Sequence, residues 1–397
     1  HSTSRRQRQM CIRDRYYIEL IKSLVPLKYE EGHFRETLIN ALENYEALLR
    51  LYNEKLCSDI DSVIRYVEVC NMQIKKCIDS YSKGMYSVAY QCIDDILSDT
   101  LYDDEYFIVP PKFSFYRSRL FKTNGRISHT EMFHIPFNKR GKVETQRYSA
   151  PGYPCLYLGS SVNACWEELG QPRFDDMMVS RFVVKEAFPV LDLRMPKEED
   201  LEGDKIDVVL KKIPLIISTS IKTLDRTAFY KPEYIIPQLI IEYIITKNRI
   251  KYESGNNRLF DFVLGVYYTS VHINDYFNFP DETFDNLALP AVLVDRNETY
   301  CQLLASCFEW TDPTSYSYES ISGKFGRSIE RVTSDVDLTE KEANYRFSKM
   351  GELEERLSTF KLKGMLYCLT DANKIFIDSE GHDCTVYVRA NVPWTIE

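Results

Sequence analysis

Three side chains able to engage a phosphate-bearing ligand fall at even spacing in one stretch of this 397-residue chain. Arg147 is followed ten positions later by Tyr157, and Tyr157 ten positions later by Glu167. An arginine fork binds phosphate oxygens through paired N–H donors. An aromatic hydroxyl can stack and hydrogen-bond, and a carboxylate can offset developing positive charge. The local chain offers a way to bring them together. Pro151-Gly152 reads as a turn, Leu156-Tyr157-Leu158 as the end of a strand, and Ser160-Ser161 as the opening of a helix that Gly170 would stop.

The charge pattern points to the same region. From Pro111 to Ala150 nine basic residues stand against two acidic ones, whereas residues 16–110 carry nine basic and 17 acidic residues in a chain of formal charge −9. An acidic whole with a basic stretch suits a local anion site and disfavours nucleic acid or an anionic membrane as partner. The same residues also have ordinary readings. Arg117 and Arg119 alternate with Tyr116 and Ser118 on a strand and would face solvent. Tyr157 could be a core tyrosine, Glu167 beside Glu168 a solvated pair, and the basic stretch a solvated face.

Competing chemistries lack partners. A Cys165 nucleophile would need an oriented histidine, and His33, His129, His134, His272 and His382 show no matching pattern. His129 and His134 are five apart and form no HExxH motif, so no metal is expected. Neither GxGxxG nor GxxxxGK[ST] occurs, which removes support for a redox nicotinamide fold or a P-loop.

With 44% hydrophobic and 27% charged residues the chain matches globular protein, and its length allows two to three domains at roughly 150 residues each. Its 11 cysteines are odd in number and form no CxxC pair, as expected of a reducing, cytoplasmic setting. The most apolar stretch, Tyr234 to Ile245, is broken by Pro237, Gln238 and Glu242 and does not read as a membrane span. The opening HSTSRRQRQMCIRDR carries five Arg and resembles translated sequencing-adapter read-through; residues 1–15 are set apart as a non-native or disordered leader.

Apolar residues recur at three and four from Tyr16 to about Thr100, predicting three or four helices in a small domain over 16–109. Asp94, Asp95, Asp99, Asp103, Asp104 and Glu105 read as a solvated link, and Pro110-Pro111 as the boundary. Beyond it, short apolar segments predict strands at 113–117, 155–158, 179–184, 190–193, 264–268 and 288–294, with helices at 161–169, 207–213 and 232–245, the last with a kink at Pro237. This makes residues 110–310 an α+β domain. An extension, 311–397, would add an amphipathic helix over 339–360 and strands near 374–378 and 385–389, and pack on that domain.

The segments FYRSR at 115–119, RYSAPGYPCLYLGSS at 147–161 and ACWEE at 164–168 closely resemble the RES domain, named for its Arg, Glu and Ser. YIIPQLIIEYI at 234–244 and LGVYYTS at 264–270 look like the helix and strand that supply the family's serine. The helical region ahead resembles the HEPN-like extension of larger members. Here Gln146 stands where compact members usually have Gly, and Tyr148-Ser149 replaces a Trp-Asn-like pair.

The resemblance implies an ADP-ribosyltransferase-like fold and consumption of NAD as a substrate, with no metal. It identifies Arg117, Arg147 and Glu167 as catalytic, and Tyr157, Ser270, Tyr116 and Ser149 as substrate-binding. Cleavage of the nicotinamide–ribose bond, by a glycohydrolase with water or a phosphorylase with phosphate as acceptor, passes through an oxocarbenium-like state that a carboxylate stabilises. The expected setting is a toxin or phage-defence effector held by an antitoxin or immunity partner, with self-association through the helical domain. ADP-ribosylation of a specific protein and a non-catalytic interaction role are the alternatives.

Overall fold

The structure is a computed structural model that describes residues 24–51, 59–100, 106–120, 127–197, 206–255, 259–272, 284–291, 299–321, 345, 348–365, 376–377 and 383–384. Helices are α1 (Phe34–Leu51), α2 (Ile60–Ser82), α3 (Tyr86–Thr100), α4 (Val162–Glu168), α5 (Ile206–Thr219), α6 (Ile235–Glu253), α7 (Gln302–Ser306), α8 (Tyr316–Ile321) and α9 (Lys349–Ser358). Strands are β1 (Tyr106–Val109), β2 (Ser114–Leu120), β3 (Cys155–Gly159), β4 (Met177–Val184), β5 (Phe188–Leu193), β6 (Val266–Thr269), β7 (Asp285–Pro290), β8 (Phe308–Trp310), β9 (Phe376–Ile377) and β10 (Asp383–Cys384). The mixture of helix and sheet makes the chain an α+β protein.

Two compact units emerge, and they do not follow linear boundaries. Residues 145–150 and 192–243 group with the N-terminal helices, and the remainder from Phe107 onward forms the second unit. In the first unit Leu38, Leu42, Tyr45 and Leu49 make the buried stripe of α1, and Val63, Val67, Cys70 and Ile74 that of α2. Both helices pack on α5, and Tyr45 donates its hydroxyl proton to the Leu210 carbonyl at 2.8 Å. Burial of such stripes is what stabilises helices of this length in water.

The second unit is built on an eight-stranded sheet of order β1-β5-β6-β7-β3-β2-β4-β8. The pairs β2–β3, β2–β4, β3–β7, β6–β7 and β4–β8 are all antiparallel. Alternation along β3 sends Leu156 and Leu158 into a core with Phe115, Phe182, Phe308 and Trp310. Trp310 stacks with His129 at 4.5 Å, Phe182 at 5.0 Å and Phe133 at 5.1 Å. A second cluster, with Val162, Cys165, Val179, Leu353 and Leu357, seats α4 and α9.

Several expectations change. Asp94, Asp95 and Asp99 belong to α3 and not to a link, because the apolar repeat Ala89, Cys92, Ile93, Ile96 carries the helix through them. Pro110-Pro111 lies between β1 and β2 inside the second unit. Pro237 falls in the first turn of α6, where its missing N–H costs no helical bond. Of the amphipathic segment 339–360, Lys349–Ser358 is helical, and Ser348 caps it by accepting the Gly351 N–H at 3.2 Å. The leader 1–15, the acidic residues 103–105 and the late strand at 385–389 lie outside the described residues. Among the described residues no helix is long and apolar enough to cross a membrane.

Candidate active site

The turn–strand–helix reading around Tyr157 is what positions the site. Strand β3 ends at Gly159, where a Cβ would come within 2.8 Å of Cys165 Sγ, so only glycine lets the helix fold back this closely. Ser160 is fixed from both sides: its N–H donates to the Asp285 carbonyl at 2.8 Å, and its Oγ accepts the Asp285 N–H at 3.1 Å. Ser161 caps α4, its Oγ accepting the Ala164 N–H at 3.0 Å. Gly170, at φ +80°, ends the run that carries Glu167 and Glu168.

At that end a polar cluster closes on Glu168. Ser270, one residue past β6, donates its hydroxyl to Glu168 Oε1 at 2.6 Å. Asn286, on β7 opposite both Gly159 and Tyr268, donates Nδ2–H to the same oxygen at 2.6 Å. His272 Nε2 stands 3.6 Å from the other oxygen, Oε2, and the His272 N–H donates to Ser270 Oγ at 3.3 Å. Ser270 and Asn286 are buried, while Glu168 and His272 keep part of their side chains open. Two donors on one oxygen hold the carboxylate in a single orientation.

Glu167 is turned elsewhere. Both of its oxygens take the Gln171 side-chain amide, at 3.1 and 3.0 Å, in an exposed setting. Arg117 enters where β2 and β3 are joined at the Tyr116–Gly159 pair, and Nη1 donates to the Tyr157 carbonyl at 3.4 Å. It is half-buried, and desolvation, followed by the repulsion of Arg119, pushes its guanidinium down to about 9. Among the described residues no carboxylate pairs with it. A desolvated cation in this state is a ready partner for an anion.

The chain is 32% identical over 298 residues to "Putative toxin YopC" of Bacillus subtilis (strain 168), across 69% of this chain and 64% of that protein. It therefore spans less than two thirds of the relative's length. No family model matches, and no solved structure matches.

The other residues picked out from the sequence take these places. Arg147 is buried in the first unit, where Nη1 donates to the Thr219 carbonyl at 3.0 Å and Nη2 to the Ile221 carbonyl at 2.8 Å. Its guanidinium also lies 5.2 Å from the Tyr234 ring centroid. Ser149 is buried in the same unit, and its carbonyl accepts the Gln238 side-chain amide at 3.2 Å. Tyr116 is buried, which pushes its phenol up, and its carbonyl accepts the Cys165 thiol at 3.2 Å. Tyr157 is half-buried on β3, between the inward-facing Leu156 and Leu158. The Cys165 thiol is pushed up to about 12 by burial, so it carries no thiolate at neutral pH.

Sequence reasoning missed Glu168, His272 and Asn286 as members of one cluster. A signal for Glu168 was available. The small buried residues Ala164 and Cys165 stand four and three positions before it, so the helical repeat already places it on the inward face. Asn286 gave none, because only strand register brings it there.

Proposed function

We propose that this protein is a toxin that consumes NAD, breaking the bond between nicotinamide and ribose, with Glu168 as the catalytic carboxylate. The observation that carries this reading is the Glu168 cluster: Ser270 and Asn286 both donate to Oε1, and His272 stands beside Oε2. On this reading Glu168 and Ser270 take the roles of the glutamate and serine of RES domains, one helical position from Glu167, which the motif picked out. The resemblance over 115–119, 147–161, 164–168 and 264–270 supports the NAD chemistry, and the name of the relative supports the toxin role.

In this mechanism the C1′–nitrogen bond breaks and nicotinamide departs neutral with the bonding pair, so no strong general acid is needed. Positive charge appears on the ribose, and the fixed carboxylate of Glu168 stabilises it. Arg117 binds the pyrophosphate, which would supply the anionic partner that no described residue provides. Water adds to C1′ and its proton leaves to solvent. The fold would then be ADP-ribosyltransferase-like, and a partner protein covering Glu168 would restrain the activity.

Incubating the purified chain with NAD and quantifying free nicotinamide and ADP-ribose tests the reading. Equal release of both is expected. Label from the adenylate moiety that ends on protein would mean transfer to a protein acceptor, and no nicotinamide release would overturn the proposal.

A further inference from the structure

The helix that carries Glu168 is only seven residues long, too short to hold itself in water. Its opening N–H groups have no partners within the helix and must be met from outside. Ser161 meets one. The Val162 N–H is met by a residue far away in sequence, Glu354 on α9, whose Oε1 accepts it at 2.5 Å. The same oxygen accepts the Tyr345 hydroxyl at 2.6 Å. A carboxylate at this end also suits the positive pole of the helix dipole.

Helix α9 is itself anchored at several points on the second unit. Arg356 pairs with the buried Glu319 at 2.8 Å, and Glu319 also accepts the Thr314 hydroxyl at 2.7 Å. Arg181 on β4 donates to the Ser358 carbonyl at 3.4 Å. Leu353 and Leu357 are buried in the cluster that contains Val162 and Cys165. Glu354 thus projects from a fixed support onto one end of α4, and Glu168 stands at the other end, about 9 Å along the axis at 1.5 Å per residue.

We propose that Glu354 is a positioning residue. By holding the start of α4 it fixes where Glu168 stands against the ribose, and α9 of the C-terminal region is part of the catalytic apparatus. This rests on Glu168 being the catalytic carboxylate. Loss of the hold would let α4 tilt or fray, and small displacements of a reacting group cost large factors in rate.

The test uses the full chain with E354A, E354D, E354Q and, as control, E355A on the exposed side of α9. For E354A, and for E354D whose carboxylate falls short, kcat for nicotinamide release is expected to fall about 10- to 100-fold, with KM for NAD within about 2-fold. The amide oxygen of E354Q can accept the same N–H, so that variant is expected within about 3-fold of wild type, as is E355A. Hydrogen exchange at amides 162–168 should rise in E354A and E354D alone. E354D or E354A that melts like wild type yet keeps wild-type kcat overturns the inference, whatever exchange does. An inactive wild-type protein is a different failure, that of the Glu168 reading itself.

Discussion

Ser270 and Glu168 are 102 positions apart in the chain, yet the serine hydroxyl donates to the glutamate Oε1 at 2.6 Å. The contact forms because β6 ends one residue before Ser270, and the turn after β3 delivers α4 over that strand end. The adjacent Glu167 points about 100° around the helix and binds Gln171 instead. Neighbouring carboxylates on one short helix are thereby given different work.

The two donors on Glu168 Oε1 should both matter to rate. Ser270→Ala and Asn286→Ala are each expected to lower kcat about 10- to 100-fold, since each releases one hydrogen bond that orients the carboxylate. Asn286→Asp should be worse, because it sets a second negative charge against Glu168. Steady-state NAD cleavage checks this; an Asn286→Asp variant with wild-type turnover would rule out the orienting role.

Arg147 and Arg117 are expected to separate by what they perturb. Arg147→Ala removes the donors to the Thr219 and Ile221 carbonyls from a buried position, and should cost about 3 kcal/mol in stability. Arg117→Gln removes a desolvated cation without a carboxylate partner among the described residues. It should leave stability within about 1 kcal/mol while raising KM for NAD about 10-fold or more. Urea unfolding beside NAD kinetics distinguishes them; a stable but inactive Arg147→Ala would show that Arg147 acts in catalysis and not in stability.

His134 should make the fold acid-sensitive. Its Nδ1–H donates to the Ile135 carbonyl and its Nε2 accepts the Cys301 N–H, both at 2.9 Å, which is the neutral tautomer. Burial holds its pKa down to about 4, against an ordinary 6.5. As pH falls through 6.5 the unfolded chain takes up a proton that the folded chain refuses until about pH 4. Stability therefore declines across that window, by about 2 kcal/mol at pH 5 and about 3 kcal/mol once complete. Unfolding of wild type and His134→Gln at pH 7 and pH 5 should show a steeper decline for wild type; parallel declines would contradict this.

Local structure was legible where periodicity is strong. The alternation Leu156-Tyr157-Leu158 marked β3, Ser160-Ser161 marked the start of α4, and the amphipathic segment 339–360 contained α9. Three-residue β8 left no such trace, since its placement depends on Phe308 and Trp310 packing beneath the sheet. Arg147 shows the limit for sites. Its type and spacing fit an anion ligand, and in the structure its fork also meets the Thr219 and Ile221 carbonyls. No spacing rule within the 147–167 stretch could reveal that. Asn286 reached Glu168 through register alone, which sequence pattern does not encode for a single strand.

The central claim, that Glu168 does the chemistry, is tested most directly by comparing Glu168→Gln with Glu167→Gln. Both remove one charge from the same helix end, so the change in net charge is matched, and urea unfolding of each variant separates loss of fold from loss of chemistry. Nicotinamide release from NAD should fall about 100-fold or more in Glu168→Gln and stay within about 3-fold of wild type in Glu167→Gln. Loss in Glu167→Gln with Glu168→Gln still active would contradict the account.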